Sequence, residues 1–187
     1  MDGGATNPAK GASSKAATRL GVILLLCGEA MFFIALAGAF LVLRSADPIG
    51  FAASEQRLSR GLALLCGIGL IAGSGAVTGA GRMGKGLDVA WLGLACVANA
   101  GVVAGVAVQL RAIPLRPASD NFIAIYWILA AALAVHELCG ILIAARVIAR
   151  SGRTELPLGD TVAPWTAYWH FATLSGAMIY LLCYRGV

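Results

Sequence analysis

The sequence predicts an all-α, polytopic membrane protein, a bundle of five transmembrane helices. Three observations carry that expectation. Of the 187 residues, 59% are apolar and 12% charged, about half the charged share of a typical soluble domain. The apolar residues fall into five runs that each approach the roughly 20 residues needed to cross a ~30 Å hydrocarbon core at 1.5 Å per residue. The 14 lysines and arginines cluster in short segments between those runs, as membrane-flanking anchors do. The net charge of +5 is therefore no nucleic-acid signal, and no basic run with interleaved aromatics exists to follow a phosphate backbone.

Residues 1–18, MDGGATNPAKGASSKAAT, are small and polar and read as a disordered tail. They hold no apolar core of a signal peptide, so the first spanning helix is expected to direct insertion. The five-helix domain covers 19–187.

The first helix is expected over Arg19–Leu43 and ends at Ala46, Asp47 and Pro48. The second, Arg60–Ala80, carries Gly69 and Gly73, then Gly75 and Gly79, at a four-residue spacing that lets helix backbones approach closely. Residues 81–86, rich in glycine, make a tight turn. The third helix, Leu87–Leu110, repeats the small-residue theme with Gly101 and Gly105. Pro114 and Pro117 fill the next loop before the fourth helix, Phe122–Ile148. Pro157 and Pro164 bracket the last loop, with Pro164 at the start of the fifth helix, Trp165–Tyr184, where a missing N–H does no harm. Loops this short predict that sequential helices pack as antiparallel neighbours.

Eight basic residues (Lys10, Lys15, Arg19, Arg82, Lys85, Arg146, Arg150, Arg153) fall on the N-terminal side of such a bundle, and six (Arg44, Arg57, Arg60, Arg111, Arg116, Arg185) on the other. The bias favours a cytoplasmic N-terminus and an outward C-terminus. The five cysteines fall one to a helix with no C-x-x-C pair; each is expected to pack as a small hydrophobe, without disulfide or metal.

The chemistry lies in three groups. Glu29 in the first helix and Glu137 in the fourth sit inside apolar runs, where a carboxylate costs about 2–4 kcal/mol to insert. His136 precedes Glu137. Glu29 lies ten residues past Arg19 and His136 twelve before Ile148, so both are ~15–18 Å from the same membrane face. A Glu29–His136 hydrogen bond would relieve two unfavourable burials. Glu137 points about 100° away around its helix and must find another partner, be protonated, or face another subunit. These three residues are either a proton relay or buried polar groups that lock packing; the sequence leaves both open. Trp165, Tyr168 and Trp169, with His170, cluster where the last helix enters the membrane, and read as an aromatic belt with an interfacial hydrogen-bonding group. Tyr126 and Trp127 do the same at the opposite face. His136 and His170 differ in depth and have no third ligand at suitable spacing, so no metal, haem or copper is expected in this chain. No nucleophilic triad or phosphate loop is present, which argues against an enzyme acting alone.

Three stretches are more specific than composition. Arg19 through Phe33, with Glu29 followed by Met31, Phe32 and Phe33, resembles the first core helix of haem–copper oxidase (cytochrome c oxidase) subunit III. Val135 through Gly140 resembles that family's penultimate helix, where a histidine precedes a glycine by four residues. Tyr168, Trp169, His170 and Phe171 resemble the opening of its last helix. The three come in the family's order, and the resemblance covers 19–186. Leu133 stands where the family often has a second histidine, no acid follows Gln109, and Glu137 lies outside the pattern.

The resemblance implies the five-helix bacterial form of a non-catalytic subunit of the bacterial cytoplasmic membrane, part of an aerobic respiratory chain. It implies packing on a catalytic subunit I that holds the haem and copper, phospholipid in a cleft between the first two helices and the later three, and support of proton uptake and turnover stability. Arg19, Trp165, Tyr168, Trp169 and His170 are then expected to contact lipid. The alternatives are an accessory subunit of a nitric oxide reductase system and a small standalone proton or ion transporter.

Overall fold

The computed structural model describes residues 8–80, 82, 87–113, 120–151 and 158–184; side-chain surroundings are described for 16–80, 82, 87–113, 120–150 and 165–184. The chain is all-helical, with no strand among the described residues. The described residues form six helices in order: α1 (Pro8–Ala46), α2 (Pro48–Glu55), α3 (Arg60–Ala80), α4 (Leu87–Ala112), α5 (Asn121–Ser151) and α6 (Leu158–Cys183). The turn expected over 81–86, the loop with Pro114 and Pro117, and Pro157 lie largely outside the described residues.

Among the described residues, four stretches are long and apolar enough to cross a membrane: Ala16–Ala46, Arg60–Ala80, Leu87–Ala112 and Asn121–Arg150. This marks the chain as a membrane protein. The last helix is not among the four, because Tyr168, Trp169, His170, Thr173 and Ser175 interrupt its apolar residues.

Three differences from the sequence reading have plain causes. The helix of α1 begins at Pro8 rather than Arg19, so much of the expected disordered tail is helical; extending an existing helix through Ala, Lys and Ser avoids the cost of a new nucleus. A short helix, α2, fills the first loop. Asp47 caps it, its carboxylate accepting from the Gly50 N–H at 2.9 Å, and Pro48 occupies the first turn. The last helix starts at Leu158, so Pro164 lies within it rather than at its start.

Packing order also departs from chain order. α3, α4, α5 and α6 form a closed ring in which α3 meets α4, α4 meets α5, α5 meets α6, and α6 returns to α3. α1 packs outside this ring, on α5 and α6, and makes no substantial contact with α3. The first two spans therefore do not pair with each other against the other three. Little of α1 is buried, and Leu24, Met31, Ile34 and Val42 face outward from it.

The interior has two apolar clusters. One, at the end where α3 begins, holds Phe40, Phe51 and Phe122 with ring centroids 5.4–6.1 Å apart in edge-on contacts. Such pairs are the favoured geometry of aromatic quadrupoles. The other, at the opposite end, holds Val77, Leu92, Ala144, Tyr168 and Trp169. Each helix of the ring carries buried polar residues in its middle, Ser74, Asn99, His136 with Glu137, and Ser175, while α4 also buries Asp88 near its start and Gln109 near its end. Glycines set the spacing there. A Cβ on Gly73 would collide with Asn99 Oδ1, and one on Gly140 would lie 3.3 Å from Asn99 Nδ2 and 3.4 Å from Trp169 Nε1.

Candidate functional site

α1 carries Glu29 toward α5, where its Oε2 lies 2.9 Å from His136 Nε2. The other ring nitrogen, Nδ1, donates to the Ala132 carbonyl at 2.7 Å, since a carbonyl has no proton to give. With Nδ1 protonated, the bridge to Glu29 holds one proton, resting on either the carboxyl or the imidazole. Both arrangements leave the pair with no net charge, which is what a low-dielectric interior favours.

The pair is braced on three sides. Phe33, one turn beyond Glu29, sets its ring edge-on to His136 with centroids 5.1 Å apart, and meets Phe171 of α6 at 5.8 Å. The Tyr168 hydroxyl donates to the backbone carbonyl of His136 at 2.9 Å, and its ring stacks on the imidazole with centroids 6.2 Å apart. A cavity of about 350 Å³ lies against the pair, walled by Leu25, Val135, Cys139, Leu142, Ile143 and Tyr168. Glu29 keeps 29% of its side chain exposed and His136 10%. The carboxyl therefore borders this apolar recess rather than the centre of the ring.

Glu137 turns the other way, into the ring, and is 1% exposed. Its Oε1 has no hydrogen-bonding partner among the described residues, and neither does the indole Nε1 of Trp169. The sequence places Glu29, His136 and Glu137 in one region; the structure joins the first two and separates the third.

The aromatic residues of α6 divide. Tyr168 and Trp169 are buried inside the bundle, at 4% and 3% exposure, and are not membrane-facing anchors. Their ring planes fill the space beside His136 and Gly140, and that tertiary use overrides the belt pattern. Trp165 is half-buried against the same cluster. His170 is exposed but fixed to α3: its Nδ1 lies 2.6 Å from Ser74 Oγ and its Nε2 3.5 Å from Thr78 Oγ1. The Thr78 hydroxyl donates to the Ser74 carbonyl at 3.0 Å, so Nε2 is the donor toward Thr78 and Nδ1 accepts from Ser74. Arg19 is exposed at the N-terminal end. At the other face Tyr126 is buried and pairs with the Tyr184 hydroxyl at 3.1 Å, while Trp127 Nε1 donates to the Ile113 carbonyl at 3.0 Å.

Two features escaped the sequence. Glu55, at the end of α2, is buried with its Oε1 3.2 Å from Arg44 Nη1; the same guanidinium donates to the Leu182 carbonyl at 3.3 Å. Burial pushes the Glu55 carboxyl above its ordinary range, and the Arg44 charge pulls it partly back. Asp120, at the start of α5, accepts from Ser54 Oγ at 2.6 Å and lies 3.7 Å from Arg57. An acid in a short loop carries no sequence sign of burial, although Asp47 followed by Pro48 is a legible helix start.

All five cysteines are free. Among the described residues, no three His, Cys, Asp or Glu side chains gather where a metal ion would be held. No family model matches the chain, and no curated protein matches it.

Proposed function

We propose that this chain is the non-catalytic, subunit III-like component of a haem–copper oxidase, with α1, α3, α4, α5 and α6 as its five membrane spans. One observation carries the reading. The three stretches that resemble that family are far apart in sequence yet meet at one point: Glu29 from the first, His136 from the second and Tyr168 from the third. A resemblance by chance gives no reason for its parts to converge. α6 counts as a span because it closes the ring with α3 and α5, where Tyr168, His170 and Thr173 hydrogen-bond to those two helices.

On this reading the bare outer face of α1 is where the catalytic subunit packs, by van der Waals contact rather than by hydrophobic transfer. The haem and copper belong to that partner. Arg19, Trp165 and His170 remain the candidates for lipid head groups on the N-terminal side, taken as cytoplasmic, and the Glu29–His136 pair supports proton uptake or helix locking. The transporter reading is weaker, because the recess beside Glu29 is walled mainly by Leu25, Val135, Leu142 and Ile143, which offer no relay to carry a proton onward.

Purification through a tag on this chain in mild detergent, followed by a reduced-minus-oxidised visible spectrum, tests the proposal. Haem absorbance with a larger co-purifying subunit is the expected result. A colourless homo-oligomer would overturn it.

A further inference from the structure

The recess beside the Glu29–His136 pair lies deep in the bilayer. Glu29 falls near the middle of the apolar stretch Ala16–Ala46. Its distance from Arg19 along the helix is ~15 Å, half of a hydrocarbon core ~30 Å thick. The recess opens away from the ring: Val135 and Leu142 of α5 and Leu25 of α1 wall it, and all three are exposed. Its mouth therefore meets hydrocarbon. Its volume of about 350 Å³ falls within the ~300–1,000 Å³ of pockets that take small molecules, which share its make-up of apolar walls and few polar groups.

Those polar groups are one-sided. His136 engages Glu29 Oε2 at 2.9 Å, which leaves Oε1 as an acceptor for the recess that Glu29 lines. Oε1 accepts wherever the shared proton rests, as a carboxylate oxygen when the imidazole holds it and as a carbonyl oxygen when Oε2 does. The nearby donors are committed, His136 Nδ1 to the Ala132 carbonyl and the Tyr168 hydroxyl to the His136 carbonyl. Cys139 contributes only a thiol, a weak donor. Among the described residues that wall it, the recess thus offers a strong acceptor and no strong donor.

We propose that the recess binds a membrane-dissolved hydroquinone, with one ring hydroxyl donating to Glu29 Oε1 and the ring lying against Leu25, Val135 and Leu142. Depth selects this class. A phospholipid keeps its polar groups at the interface and presents only hydrocarbon at mid-membrane, and a charged ligand is strongly disfavoured there. A hydroquinone is neutral, is apolar over most of its surface, and carries its O–H donors into the core. The oxidised quinone has nearly the same shape but only carbonyl oxygens, so it sets an acceptor against Oε1 and forms no bond. One hydrogen bond therefore separates the two redox forms. The site goes beyond the oxidase reading and does not rest on it.

The test uses the full chain in its own membranes, with whatever complex it occupies, under argon. The probe is a hydroquinone bearing a photoactivated diazirine on its alkyl tail, and peptide mass spectrometry locates the cross-links. Labels are expected on the α1 and α5 peptides that hold Leu25, Val135 and Leu142. Unlabelled decylubiquinol should compete, and decylubiquinone should compete about tenfold less well, the weight of one hydrogen bond to a charged acceptor. Glu29→Met removes the acceptor and should lose the labelling. Glu29→Gln should keep it, because its amide N–H bonds His136 Nε2 while its carbonyl takes the place of Oε1. Absence of label on these peptides, the result if a partner's side chain fills the recess, would overturn the proposal. Equal competition by the two redox forms on the unmodified chain, or undiminished labelling in Glu29→Met, would do the same.

Discussion

Glu29 Oε2 and His136 Nε2 meet 2.9 Å apart across the α1–α5 interface, and one proton serves both. Because Nδ1 is committed to the Ala132 carbonyl, the imidazole cannot turn away to another partner without breaking a second bond. The contact joins the helix outside the ring to the ring itself.

A double-mutant cycle should therefore find coupling between these residues. Glu29→Leu and His136→Leu, alone and together, are expected to give an interaction energy of about 0.6–2 kcal/mol, the range seen for hydrogen bonds between membrane helices. Reversible unfolding in mixed micelles measures it. Additive single effects would show that the 2.9 Å contact contributes no stability.

Tyr168→Phe removes the bond to the His136 carbonyl but keeps the ring stacked on the imidazole. Loss of about 0.5–1.5 kcal/mol is expected, as for one buried hydrogen bond. Tyr168→Ala should cost more, through the cavity it leaves. Similar losses for both would locate the effect in the hydroxyl alone.

Glu137 has an unpartnered carboxyl oxygen in the ring, so Glu137→Met should stabilise the fold, by about 1–3 kcal/mol if the whole desolvation cost is relieved. Thermal unfolding of the purified protein reads the sign. Destabilisation would mean that the carboxyl has a partner the fold depends on.

These positions show how much was legible. Helical periodicity is almost irrelevant in runs this apolar, but length and the proline and glycine breaks located α3, α4 and α5 to within a few residues. Depth arithmetic alone brought Glu29 to His136, because helices that cross one slab share a coordinate along its normal. What depth cannot supply is azimuth. It gave no hint that α1 would skip α3 for α5 and α6, or that Tyr168 and Trp169 would turn inward. The partners Ser74 and Thr78 of His170 are a one-turn pair on α3, a pattern visible in the sequence but common enough to pass unnoticed. Glu55 was invisible because its burial depends on α2 folding back over α5.

Glu55 gives a pH prediction. Its folded value lies above the ordinary 4.5, chiefly through burial. A group so shifted contributes its full stability below the unfolded value, and loses it as pH rises through the folded one. Glu55→Gln, neutral at every pH, should therefore gain thermal stability relative to the unmodified chain as pH rises from about 4 toward 8. A difference that stays flat, or shrinks, would show that Arg44 compensates the carboxylate fully.

Gly73→Ala sets a methyl group against Asn99 Oδ1, whereas Gly75→Ala meets nothing within 4 Å. The first should cost about 1–3 kcal/mol by overpacking, and the second should be neutral or gain up to about 1 kcal/mol from helix propensity. Matching melting temperatures for the two would mean that the α3–α4 contact yields freely.

The position of α1 outside the ring has a consequence for synthesis. α1 is made before α3 and α4, yet its partners α5 and α6 are made after them. Glu29 and His136 are 107 residues apart, and at about 5–20 residues per second a ribosome needs roughly 5–20 s to cover that distance. For that interval the carboxyl of the first helix lacks the imidazole that pairs with it, so the two spans that follow α1 are made before α1 can dock.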